Sequence, residues 1–174
     1  MATATTRATP LNAARVIAED GFLSGVIGGL TVAIFFLVVD LVGGRPFFTP
    51  SLLGSVLFLG ESVATVNAVD APMVMAYTGL HFLLFVAVGM AAAFAVREFE
   101  VHPHVGVLLV ILFVCFEASF IGISTALMPG VIGALGTTLV AIANLLSAAA
   151  MATYLLWRHP RAWKQLDHVW DDAG

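Results

Sequence analysis

PSLLGSVLFLGESVATVNAV, residues 50–69, is the one ambiguous apolar stretch in this chain. It has the roughly 20 residues that a helix needs to cross the 30 Å hydrocarbon layer of a bilayer. However, Glu61 stands at its centre, and only a short apolar run precedes it. The stretch therefore reads as non-spanning. Thr49 is placed to cap a helix with Pro50 in its first turn, so residues 50–60 form a short interfacial or re-entrant helix. A span here would also need a turn at Asp70–Pro72 almost without residues, whereas Asp70 suits the N-cap of the next helix.

Outward from this stretch, four runs are long and apolar enough to cross: residues 21–42, 73–96, 105–128 and 131–157. Only Pro129 and Gly130 separate the last two, which makes them an antiparallel hairpin. The expected fold is all-α, a four-transmembrane-helix bundle with the short helix between its first two spans. Composition agrees, since 60% of the 174 residues are hydrophobic and 10% charged, too few charges to coat a soluble body of this size. No polar segment is long enough for a separate soluble domain, so residues 1–174 read as a single membrane domain in contact with lipid.

Basic residues set the expected orientation. With four spans, Arg7, Arg15, Arg97, Arg158, Arg161 and Lys164 fall on one side and Arg45 alone on the other, which places both termini in the cytoplasm of a bacterial inner membrane. The first run is too long for a signal-peptide core and no small-residue cleavage site follows it, so it is expected to remain as an anchor. Trp157, Trp163 and Trp170 gather at the cytoplasmic end, and residues 161–171 read as an amphipathic surface segment.

Several function classes are excluded. Scattered basic residues make no track for nucleic acid, and the single Cys115, in an apolar run, carries no redox information. No Walker loop, GxGxxG fingerprint, HExxH or Ser-His-Asp spacing is present, so no catalytic residue is assigned. His81 is the only intramembrane histidine, one axial ligand short of a haem site, and no cofactor is expected.

Two kinds of residue stand out within the spans. Gly21, Gly25 and Gly29 recur every four residues, making a smooth ridge for a close helix neighbour, either within the bundle or in a second copy. Gly136, Val140, Asn144 and Ala148, with Ser147 beside them, form a similar ridge in the last span. Polar side chains at membrane depth are costly and mark either a functional site or a buried structural pair. Asp40 lies near the outer end of its span, and His81, Glu117 and Asn144 lie roughly 12, 17 and 20 Å in from theirs. Glu117, surrounded by FVCFEASF, needs a partner or a proton. His81 is the natural candidate, with Tyr77 on the same helix face, and the three make either a proton, ion or ligand site or an interhelical hydrogen bond.

For metals the candidates are Glu98, Glu100, His102 and His104. They alternate in EFEVHPH, so an extended loop would present all of them to one side, although a solvated loop explains them equally. Met73, Met75 and Met128 near span ends are packing residues that could also hold Cu(I).

The stretches GRPFFTPSLLGSVLF (Gly44 to Phe58) and AYTGLHFLLF (Ala76 to Phe85) resemble segments of uncharacterised bacterial four-helix integral membrane proteins. The resemblance covers about a quarter of the chain and implies the same four-span architecture, without an activity to carry over. The function expected from the residues is that of a structural or accessory subunit in a homo-oligomer or with other membrane subunits. The rivals are a small transporter or channel working through Glu117 and His81 and, ranked last, a cofactor-bearing redox subunit.

Overall fold

A computed structural model describes residues 10–102, 121–122, 124–128 and 130–162 of the chain. Among these residues the structure is all helix and turn. Its elements are α1 (Pro10–Val42), α2 (Phe48–Leu59), α3 (Ala71–Val101), α4 (Val131–Leu135) and α5 (Thr137–Arg158). Residues 121–122 and 124–127 are also helical, residue 128 is a bend, and the remainder of the expected 105–128 span lies outside the described residues. So do Trp163 and the rest of the expected surface segment beyond residue 162.

Three helices, α1 from Ala14, α3 and α5, are long and apolar enough to cross a membrane, the mark of a membrane protein. At 1.5 Å per residue they measure roughly 44, 46 and 33 Å, against a hydrocarbon layer of about 30 Å. By the same rise α2 is about 18 Å long, too short to cross. The first two long helices overrun the apolar stretches predicted at 21–42 and 73–96. Helical hydrogen bonding continues into polar sequence at both places, through Arg15 and Glu19 in α1 and through Arg97 to Glu100 in α3.

Local chemistry explains the ends of the elements. After α1 the chain reverses at Gly44, whose φ of 69° is open to glycine at little cost. Phe47, at φ 64°, is the one non-glycine residue in the left-handed region among those described. α2 stops at Gly60, also left-handed, where the Gly60 N–H donates to the Ser55 carbonyl and caps the last turn. Asp70 begins α3 as its place before Pro72 predicts, accepting a 3.2 Å hydrogen bond from the Met73 N–H. The expected fourth span is not continuous. Gly136, at φ 85° and ψ 112°, divides it into α4 and α5, because that backbone conformation cannot continue a helix.

α1 is the central element and packs on both α3 and α5. Against α3 the contact is made by the glycine ridge, which therefore serves packing within this chain. A Cβ on Gly21 would come within 2.6 Å of the Met90 Cα, and one on Gly25 within 2.5 Å of the Val86 Cα. Gly89 completes the crossing from α3, where a Cβ would lie 2.7 Å from the Gly25 Cα. Small residues let two backbones approach until many weak dispersion contacts add up, the main attraction available where water does not drive association. Gly29 sits beside the Phe82 ring at the next level.

The face of α5 turned inward differs from the expected one. Val140, Ala143, Ser147, Met151 and Leu155 are buried, whereas Asn144 and Ala148 are only partly covered. Gly136 has no part in this face because it lies in the break before α5. Met151 fills the space over Gly28 of α1, so the seam is a thioether packed on a glycine.

α2 is enclosed rather than laid along a surface. Thr49 and the consecutive residues Ser51, Leu52, Leu53, Gly54, Ser55 and Val56 are all buried, the pattern of a helix covered on every side. Leu52, Leu53 and Val56 form a core with Val66 and Val131, bordered by Tyr77 from α3 and Leu135 from α4. A second cluster, Phe36, Val140 and Ala143, joins α1 to α5.

Candidate functional site

His81 projects from α3 toward α1, where its Nε2 lies 3.0 Å from the carbonyl oxygen of Gly29. A carbonyl only accepts, so Nε2 is the protonated nitrogen of the ring and donates. The ring lies against Phe85, with centroids 4.6 Å apart, and beside Tyr77 at 6.0 Å, so Tyr77 and His81 share a face as the sequence predicts. The bare glycine at position 29 is what lets the imidazole reach a backbone carbonyl across the helix interface. The proposed third member of this group, Glu117, lies outside the described residues.

Asp40, 7% exposed, has a clear partner. Its Oδ2 accepts from the Thr49 N–H and its Oδ1 from the Thr49 hydroxyl, both at 2.7 Å. Thr49 was expected to cap α2, but it sits inside the first turn of that helix as the donor, and Asp40 supplies the acceptor from the last turn of α1. A carboxylate at a helix N-terminus satisfies an otherwise orphan amide and meets the positive end of the helix dipole. Two residues on, the Ser51 hydroxyl accepts from the Asp70 N–H at 2.8 Å, which ties the start of α3 to α2.

Above Asp40 lies a cavity of about 370 Å³, lined by Phe36, Arg45, Thr49, Asn67 and Leu135 among others. The Arg45 guanidinium lies 3.9 Å over the Phe48 ring at its edge, a cation–π contact. With both Asp40 oxygens bonded to Thr49, the carboxylate acts here as a structural acceptor.

At the opposite end of the bundle lies a group that sequence reasoning missed. Asp20 of α1 is 1% exposed, and its Oδ1 accepts from Arg158 Nε at 2.9 Å. Its Oδ2 lies 3.2 Å from His159 Nε2, and the other ring nitrogen, Nδ1, lies 3.3 Å from Glu100 Oε1 of α3. Tyr154, one turn before Arg158, also interacts with Asp20. Three helices are thus joined by charged groups at one level. A signal was present in the sequence: Asp20 immediately precedes an apolar run, and Arg158–His159 immediately follow another. Antiparallel crossing brings those two edges to the same level.

The acidic and histidine residues of EFEVHPH separate for a plain reason. The expectation of an extended loop is corrected by the structure, since α3 continues to Val101 and successive residues rotate by about 100° instead of alternating. Glu98 pairs with His102 one turn later, Nδ1 to Oε2 at 3.7 Å, while Glu100 turns toward His159. His104 lies outside the described residues. Among the described residues no group of three or more His, Cys, Asp or Glu side chains is placed to hold a metal ion. Asn144 is half-buried on α5, and its neighbour Ser147 donates to the Gly28 carbonyl at 3.1 Å. Ser24, between Asp20 and Gly28 on α1, is fully buried, and its hydroxyl has no partner among the described residues.

No protein-family model, curated protein or solved structure matches this chain.

Proposed function

We propose that this protein is a structural or accessory subunit of the bacterial inner membrane, assembled with its own copies or with other membrane subunits. It crosses the membrane four times, with both termini and the Asp20 end of the bundle in the cytoplasm. One observation carries the reading: His81, Asp40 and Ser147, polar side chains at membrane depth, bond within the chain, with Ser24 the buried exception among the described residues, and the outward faces are apolar. His81 donates to Gly29, Asp40 accepts from Thr49 and Ser147 donates to Gly28. Met75, Leu83, Leu84 and Phe94 of α3 and Leu145, Leu146 and Trp157 of α5 point outward. In this topology α2, enclosed and too short to cross, is a re-entrant helix at the outer end, where Arg45 is the one basic residue.

Extraction of the full chain into native lipid nanodiscs, followed by counting of subunits by single-molecule bleaching, tests the proposal. Discs holding two or more copies, or one copy with a membrane partner at fixed ratio, are expected. Discs holding a lone chain at every expression level overturn it. The rival reading is a small transporter or channel with a polar site at Glu117 and His81, and in it the His81 Nε2 is already engaged by the Gly29 carbonyl.

A further inference from the structure

The cavity at the end of α1 has two opposite charges in its wall that do not pair with each other. Asp40 and Arg45 both line it, and the Arg45 N–H donates to the Asp40 carbonyl at 2.9 Å, so one short stretch of backbone fixes both residues there. The Asp40 side chain bonds to Thr49 and the Arg45 guanidinium lies over Phe48, and among the described residues neither takes an ion pair. Both groups have bonding capacity left. Each Asp40 oxygen uses one lone pair on Thr49 and keeps a second, which can accept from a further N–H. Arg45 carries five N–H donors in a planar fork that suits a phosphate, and the ring beneath helps to hold that fork in place.

The rest of the lining divides in the same way. Arg45 and Asn67 are exposed, whereas Phe36, Leu52 and Val66 are buried. Asp40 lies in the last turn of α1, a helix long and apolar enough to cross a membrane, so the cavity stands at the level where the headgroups of a bilayer begin. Its volume of about 370 Å³ is within the usual range of small-molecule sites. At about 30 Å³ for each water-sized group, it has room for roughly a dozen, a headgroup and the start of the chains rather than a whole lipid.

We propose that this cavity binds the headgroup of a phospholipid that carries a primary ammonium beside its phosphate. The ammonium donates to Asp40, the phosphate accepts from Arg45, and the adjoining apolar part of the lipid lies against Val63 and Leu135. Two opposite charges in the ligand meet two in the wall, so no unpaired charge enters an apolar bundle. A headgroup that is only anionic brings a like charge toward Asp40 and leaves it without a donor. A trimethylated ammonium has no N–H to give. The site therefore selects headgroups by their nitrogen. It is complete within one chain and has the same form on either face of the membrane, so it stands apart from the proposed assembly and orientation.

The test uses the full chain, stripped of lipid in a non-ionic detergent and titrated with short-chain phosphatidylethanolamine, phosphatidylcholine or phosphatidylglycerol, with bound lipid counted by native mass spectrometry. The ethanolamine lipid is expected to bind about tenfold or more tightly than the other two, the value of one hydrogen bond to a charged group. Arg45→Gln should weaken its binding by a similar factor, while Arg15→Gln, at the other end of α1, should leave it unchanged. Ala134→Phe, which places a ring in the cavity from an exposed position on α4, should abolish the preference. Water-soluble glycerophosphoethanolamine should compete only at about tenfold higher concentration or more, because it lacks the apolar part. Equal uptake of the three lipids, the signature of a general lipid coat, overturns the proposal. Wild-type affinity in Arg45→Gln, or an equal loss in Arg15→Gln, does the same. Competition by the soluble headgroup as strong as that of the lipid overturns the lipid as its source. If Ala134→Phe does not fold, the headgroup series and Arg45→Gln decide.

Discussion

Asp40 and Thr49 hold two helices end to end: each oxygen of the carboxylate accepts one hydrogen bond from Thr49, the backbone N–H on one side and the hydroxyl on the other. The chain between them reverses in nine residues, through Gly44 and the left-handed Phe47. The last turn of α1 therefore supplies the cap for α2.

Removing that cap should loosen α2 as a unit. Asp40→Ala is expected to cost about 0.5–2 kcal/mol, the range of lost helix caps. Thr49→Val, which keeps the N–H bond and removes the hydroxyl, should cost less. The double variant should be non-additive by about 0.5 kcal/mol or more. Unfolding in mixed micelles of the four proteins measures this, and strictly additive losses would mean that the two residues do not share a bond.

Gly25 and Gly89 stand where two backbones meet, whereas a methyl group on Gly79 would meet nothing within 4 Å, so the three make a controlled series. Gly25→Ala and Gly89→Ala should each lower stability by about 1–3 kcal/mol or more, because the obstacle is backbone that cannot rotate away. Gly79→Ala should be neutral or slightly stabilising, since alanine is the better helix former. Equal effects at all three positions would show that the α1–α3 crossing is wider than described.

The His81–Gly29 bond should be worth about 0.6 kcal/mol and no more than about 1.7, as measured for hydrogen bonds between membrane helices. His81→Phe keeps a ring on Phe85 and deletes the donor, so it isolates that bond. A loss within this range in micelle unfolding is the expected outcome. A much larger loss would give His81 a further partner, Glu117 being the first to examine by His81→Phe with Glu117→Gln.

Gly136 adopts a backbone conformation that residues with a Cβ rarely occupy, at φ 85°. Gly136→Ala should cost about 1–3 kcal/mol if the break between α4 and α5 is kept. If the strain is relieved instead, α4 and α5 join into one helix, and labels at Val131 and Leu139 would report the lengthening. An alanine variant with unchanged stability and unchanged distances would contradict the break.

Much of this arrangement is legible along one dimension. Long apolar runs must be helical in lipid because every backbone N–H and C=O needs a partner within the segment. The Asp70–Pro72 cap, the Gly21–Gly25–Gly29 ridge and the shortness of α2 likewise depend on neighbours a few residues away. The Tyr77–His81 face follows from the helical period alone.

Partners across the bundle are another matter. Asp20 meets Arg158 across 138 positions in sequence, and His81 meets Gly29 across 52. Nothing local sets either distance. Each helix has a free rotation about its own axis, and a shift of one residue turns its face by about 100°. For that reason α5 buries Ala143 and Ser147 instead of Asn144 and Ala148, and Glu100 turns away from Glu98 toward His159. Apolar length and local caps made the helices inevitable. Which way each one faces, and so which polar groups bond, was settled by backbones closing at Gly25 and Gly89, where the smallest residues permit the closest contact.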